Sequence, residues 1–239
     1  MKIKYILLFA ALATFTTSAM AQGSIEHYKK VYKQSLAYGD YIAAANAIYD
    51  QWVENPADSM SYKDTLANLY FIRGQFYQTI ALGKDILNKN PNDLRMQELV
   101  GASDQNVNNL KEALDYYQKI YNKTHDLFHL YQIASLQFGL TRVGECNQTI
   151  DQILADTGSV HQKIQITVGQ GQQQAVPYKA AALNIRGVIA KGLNQNDIAK
   201  KAFSDALAVD PDFILAKGNL ADLTKAPTGT GTATPATKK

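Results

Sequence analysis

His125 and His129 stand four residues apart, a spacing that on a helix puts both imidazoles on one face, as a zinc site needs. The neighbouring residues do not complete that chemistry. Asp126 follows His125 where the helical metalloprotease motif has its glutamate, and no third ligand is evident. His125 falls in a turn and His129 in the first turn of the helix after it, so the pair reads as helix-end or surface histidines, and neither metal nor cofactor is expected. Cys146 is the one cysteine of the 239 residues, which excludes an intramolecular disulfide. It sits where a small residue is wanted between two helices, and burial as a small apolar group is the reading it supports. No G-x-S-x-G elbow, phosphate-cradling G-x-x-x-x-G-K-[ST] loop or dinucleotide-binding G-x-G-x-x-G turn occurs. Asp and Glu are plentiful, but on hydrated helix faces they gain neither a raised pKa nor exclusion of water. An enzyme is therefore not expected.

The elements that carry these residues are helices. Leu183, Gly187, Ala199, Phe203, Ala206 and Pro211 are spaced as one helix–turn–helix unit, and the same pattern can be followed upstream in steps of about 34 residues. A unit from Met60 to Pro91 has Leu66, Ala67, Tyr70, Gly74, Ile86 and Leu87 in the packing and turn positions. One from Ile25 to Pro56 has Tyr28, Val31, Gly39, Ala44, Ile48 and Trp52, with Gly39-Asp40 as its turn. A third starts at Leu94, with Val100, Gly101, Ala113, Tyr117 and Ile120, and has His125 where a proline would close it. The fourth, from Leu127 to Asp156, uses Leu130, Ile133, Ala134, Cys146, Ile150 and Leu154 after a slip of about one residue. Small residues at Ala67, Gly101, Ala134 and Gly187 let the paired helix come close, and Tyr117 and Phe203 fill the space beside them. Asn92 or Asp93, and Asn196, are the expected helix caps.

Two stretches break the period. Over residues 157–179, Ile164, Ile166 and Val168 alternate with Gln165 and Thr167 before Gly169-Gln170-Gly171, and Gln172 to Val176 can return as a second strand before Pro177. A lone hairpin is marginal in water, so this one must pack on the helices or on something else. It is either a recognition element that adds a strand to a partner or a passive excursion of the chain. Phe213, Ala216, Leu220 and Leu223 then recur at helical spacing, with Lys217, Asn219 and Asp222 on the other side, as a capping helix. Residues 226–239 are rich in Pro, Thr, Gly and Ala and read as a disordered tether.

Lys2 and Lys4 precede the apolar run Tyr5 to Leu12, and Ala19-Met20-Ala21 supplies the small residues of a cleavage site. Residues 1–21 thus read as a secretory signal peptide cleaved after Ala21, which would leave a periplasmic or secreted chain with no membrane span. Without the two leader lysines, the 24 Lys and Arg fall to 22 against 21 Asp and Glu. With these scattered among one another, no nucleic-acid partner is implied.

From Ile25 to about Leu223 the chain resembles the tetratricopeptide-repeat family, most clearly in the units closed by Pro91 and Pro211. The resemblance is to exported bacterial members. It implies an all-α, right-handed α-solenoid over residues 22–225 with about five helix pairs, to which the residues above add a C-terminal capping helix and a β-hairpin inserted before the last repeat. It also implies a scaffold for protein–protein interaction. The first helix of each repeat in this family lines a concave groove, which makes Lys29, Lys33, Asp64, Asn68, Arg95, Glu98, Tyr131, Ser135 and Asn184 the candidates for partner contact. Some members clamp a chaperone's C-terminal carboxylate. Here Lys29 and Lys33 occupy the first pair of that clamp, but Thr65 replaces its second asparagine and Leu99 its final basic residue, so that ligand is not implied. A protein or peptide segment, as part of an envelope complex, is the expected partner. A glycan or small ligand stacked on exposed tyrosines, Tyr131 among them, is the alternative.

Overall fold

A computed structural model of the chain describes residues 24–169 and 171–224. The expected leader and the Thr/Pro/Gly tail lie outside them. The chain forms two compact units divided between Tyr116 and Tyr117. The first unit holds α1 (24–37), α2 (Tyr41–Glu54), α3 (Ser59–Ile72), α4 (Phe76–Leu87), α5 (Leu94–Asn106) and the start of α6 (Leu110–Thr124). The second holds the rest of α6, then α7 (Leu127–Gly139), α8 (Val143–Ala155), β1 (Lys163–Thr167), β2 (Gln173–Pro177), α9 (Tyr178–Gly192), α10 (Asn196–Val209) and α11 (Ile214–Thr224). Helices follow one another in pairs, as the spacing predicts. Among the described residues, no helix is long and apolar enough to cross a membrane.

Each pair is closed by the same turn. Gly39, Gly74, Asn108, Thr141 and Asn194 all take positive φ, between 56° and 69°. The next residue then sends its N–H back five positions: Asp40 to Ser35, Gln75 to Tyr70, Asn109 to Asp104, Arg142 to Gln137 and Gln195 to Ala190, at 2.8 to 2.9 Å. This is the Schellman arrangement, which satisfies carbonyls that the helix end leaves open. Glycine adopts it at no steric cost, whereas Thr141 is β-branched and strained there.

Capping follows the expectation at Asp93, and Asp40, expected only as part of a turn, caps a helix as well. Asp40 accepts from the Ala43 N–H at 3.0 Å and Asp93 from the Met96 N–H at 2.9 Å. Asn196 is not a cap: the turn through Asn194 leaves Gln195 at the boundary, and no side-chain hydrogen bond caps α10.

In the first unit one apolar cluster joins Ala44, Ile48, Tyr62, Leu66 and Leu69, and a second joins Ala67, Ile80, Ile86, Met96 and Val100. The second unit is built on Leu130, Ala134, Cys146, Ile150, Leu183 and Phe213 with their neighbours. The small residues act as expected. Gly187 lies so close to Phe203 that a Cβ there would meet the ring at 2.3 Å. At Ala67 and Ala134 the approach lets a side chain of the partner helix reach the backbone: the Thr79 hydroxyl donates to the Ala67 carbonyl at 3.3 Å and the Cys146 thiol to the Ala134 carbonyl at 3.2 Å. Gly83 on α4 serves the contact with the following repeat, since a Cβ there would lie 2.3 Å from Val100 Cγ2.

The inserted hairpin is antiparallel, with Ile164 opposite Val176 and Ile166 opposite Gln174. Ile164 and Val176 are buried in the second unit's core. Gln174 fastens the hairpin further along the chain: its Nε2 donates to the Asp212 carbonyl at 2.8 Å and its Oε1 accepts from the Ile214 N–H at 3.0 Å. The hairpin thus packs on the helices. Phe213, just before α11, and Ala216 on it are buried as expected. Asn219 does not stand on the outer side: its Nδ2 donates to Asn184 Oδ1 at 2.9 Å.

Candidate functional site

Asp64, Glu98, Tyr131 and Asn184 each stand three residues before the small residue of a first helix, at Ala67, Gly101, Ala134 and Gly187. One helical turn before the tight contact, such a residue points off the same side of its helix. The structure treats these equivalent positions differently.

In the first unit, three of the candidates come together. The Arg95 guanidinium on α5 pairs with the Asp64 carboxylate on α3 and its Nη1 donates to Asn68 Oδ1 at 3.4 Å. Asn68 Nδ2 donates to the Asp64 carbonyl at 2.7 Å. Two successive first helices thus share one small polar network at the surface, with Glu98 exposed one turn beyond Arg95. On α1, Lys29 and Lys33 are exposed, and Lys29 pairs with Glu26 at 2.8 Å.

In the second unit the candidates are held internally. Tyr131 is half-buried and sets its ring edge-on against Tyr178, with centroids 5.9 Å apart. Burial first, then the neighbouring Tyr178, pushes its hydroxyl up to about 12. Tyr131 is therefore not the exposed stacking surface that the glycan reading asks of it, because Tyr178, supplied at the end of the insertion, packs on it. Asn184 is 8 % exposed and engaged by Asn219, and Ser135 is half-buried.

The two histidines are separated by their backbones. His125 sits in the turn at φ 52° with its ring edge-on to Tyr121. His129 is buried, and its Nδ1 meets the Asp126 carboxylate at 2.7 Å. Burial opposes the charge on Asp126, but hydrogen bonds from the Thr124 hydroxyl and from the His129 N–H and ring together hold its carboxyl below the usual range. Asp126 also caps α7 through the His129 N–H at 2.9 Å, so this pair is accounted for by the helix start. Cys146 is fully buried, and that burial pushes its thiol up to about 11. The thiolate that nucleophilic or metal chemistry would use is thereby disfavoured.

Sequence reasoning missed two grooves of the second unit. The first, about 300 Å³, lies along α6, α7 and α8 and is lined by Gln118, Asn122, Gln137, Thr149 and Gln152. The Thr149 hydroxyl donates to Gln137 Oε1 at 2.7 Å in its wall. The second, about 490 Å³, lies along α8, α9 and α10. Apolar Leu154, Leu183 and Ile198 line it together with Lys179, Arg186 and Lys201. The signal for it was present: Lys179, Leu183 and Arg186 recur at i, i+4 and i+7, which puts two cations and a leucine on one stripe of α9.

No protein-family model matches the chain, and no curated protein sequence does. Solved structures match its fold. A tetratricopeptide repeat protein from Parabacteroides merdae superposes with a TM-score of 0.62 at 15 % identity, over 84 % of this chain and 72 % of its own. YrrB, a TPR protein with an unusual peptide-binding site, gives 0.60 at 13 % identity over 80 % of this chain and 89 % of its own. MamA from Desulfovibrio magneticus RS-1 gives 0.59 at 10 % identity over 80 % and 97 %. The chain has the all-α tetratricopeptide-repeat fold, and at these identities the likeness is one of fold alone.

Proposed function

We propose that this chain is a non-enzymatic scaffold of the bacterial envelope that holds a segment of another protein on the first helices of its repeats. The observation that carries this reading is the cluster of Asp64, Asn68 and Arg95. Side chains from α3 and α5 fix one another at the surface, so donors and acceptors are presented with part of their rotamer entropy already lost. Glu98 on α5, and Lys29 and Lys33 on α1, add charges of both signs to the same unit. The fold it shares with YrrB, for which a peptide-binding site is named, supports a peptide segment as the ligand. The envelope rests on the leader pattern of Lys2, Lys4, the apolar run to Leu12 and Ala19-Met20-Ala21. On this reading residues 22–225 are the working scaffold and residues 226–239 a tether.

Affinity capture from an envelope extract tests this. The chain is used as bait beside a variant carrying Lys33→Ala, Arg95→Ala and Glu98→Ala. These exposed positions should leave stability within about 1 kcal/mol. A protein enriched by the wild type and lost by the variant is the expected outcome. Equal capture by both baits would remove the first-helix face from the reading.

A further inference from the structure

We propose that the groove along α8, α9 and α10 docks a segment of a partner protein that carries an aliphatic or aromatic anchor beside a carboxylate. The inference rests on the scaffold reading and adds to it a second contact, with a stated chemistry, on a different stripe of α9 from the one that bears Asn184.

The apolar part of the groove is unfinished. Leu183 is 7 % exposed, while Ile198 on the facing stretch of α10 is 53 % exposed. Both line a space of about 490 Å³, within the size range of ligand pockets. An apolar group laid there would cover Ile198 and gain about 25 cal/mol for every Å² taken from water.

The rim is cationic beyond what its own acids balance. Lys201 pairs with Asp205 at 2.7 Å and Arg186 with Asp151 at 2.6 Å. No ion pair among the described residues holds Lys179. The hydrogen bonds of Arg186, to Asp151 and to the Asn147 carbonyl, both use Nη2. A guanidinium has five N–H donors in a planar fork, so the donors on Nη1 and Nε remain for an incoming carboxylate, with Lys179 on the same stripe of α9. Charge and shape together therefore ask for an anion attached to something apolar. An amphiphile free in solution would be enclosed over most of its surface, but Ile198 and the Lys201 side chain, 75 % exposed, leave the groove open along α10. A peptide segment crossing it fits that openness.

The test is selection from a random dodecapeptide display library on the immobilised full chain, after depletion of the library on a Lys179→Glu chain. Both proteins, and an Ile198→Ser chain, are first checked for unchanged helicity by circular dichroism. The expected survivors place Asp or Glu within four residues of a large apolar side chain, lose at least tenfold in affinity for Ile198→Ser, and shift the methyl resonances of Leu183 and Ile198. Survivors without an acidic residue would overturn the proposal, as would binding indifferent to Ile198→Ser. So would an absence of survivors, and if decanoate alone then moved those methyl resonances, the groove would be assigned to a free amphiphilic anion. Envelope capture that depends on Arg95 and Glu98 while this selection fails would remove the groove and leave the scaffold reading; failure of both would remove both.

Discussion

Asp64 in the first unit and Asn184 in the second occupy the same place in their repeats, three residues before the small residue of a first helix, yet one lies in a surface network and the other is sealed by Asn219 of α11. Tyr131 repeats the lesson, since Tyr178 covers it. Position within a repeat sets the direction in which a side chain leaves its helix, and whatever packs next decides whether that side chain stays available. Among the described residues of the first unit no hairpin packs on the first helices, and the Arg95 and Asp64 side chains are exposed.

The largest effect that bears on this contrast is expected at the tight contact beside Asn184. Gly187→Leu must displace Phe203, which is fully buried, and should lower the unfolding free energy by about 3 kcal/mol. An unchanged midpoint in denaturant would contradict the close approach itself. A smaller and more discriminating pair is Asn184→Ala against Asn68→Ala. The first strips Asn219 of its partner in a half-buried place and should cost about 1 to 2 kcal/mol. The second trims a surface network and should cost less than about 0.5 kcal/mol. Equal costs would break the comparison between the units. An effect smaller than that at Asn184 is expected in the turns. Thr141→Gly relieves a left-handed β-branched residue and should stabilise by roughly 0.5 kcal/mol, since the relief of about 1 to 2 kcal/mol is partly offset by the freer unfolded chain and by loss of the hydroxyl bond to the Leu140 carbonyl. Gly39→Thr in the first unit should shift stability the other way, and thermal melts of the two variants check both signs.

Much of the fold could be read from the residues because the repeat spacing fixes where helices pair. Gly39 and Gly74 mark turns by their chemistry, Asp93 marks a helix start, and the alternation of Ile164, Ile166 and Val168 marks a strand. Thr141 hides the same turn, since a β-branched residue does not favour the left-handed backbone it takes there, whereas Asn108 and Asn194 are of a type that tolerates it. Asn196 misled as a cap because the turn through Asn194 puts the helix boundary at Gln195. Gly83 falls outside the small-residue spacing of the first helices, because it serves the next repeat through the second helix of its own. At the candidate site the sequence supplied positions but not availability: the contacts that take up Tyr131 and Asn184 come from Tyr178 and Asn219, 47 and 35 residues further along, too far for local spacing to reveal. The cation-bearing stripe of α9 is visible in the spacing of Lys179, Leu183 and Arg186, but that spacing does not tell a groove from a solvated helix face.

The clasp made by Gln174 has a consequence for how this part of the molecule comes apart. An array of repeats usually frays from its tip inward, each unit being held only by its neighbours. Here one amide spans separations of 38 and 40 residues and closes a circuit that encloses α9 and α10. Release of the start of α11 must break both of these bonds. Release of α11 and loosening of the hairpin then become a single event, visible in hydrogen exchange as one cooperative opening rather than a gradient along the chain.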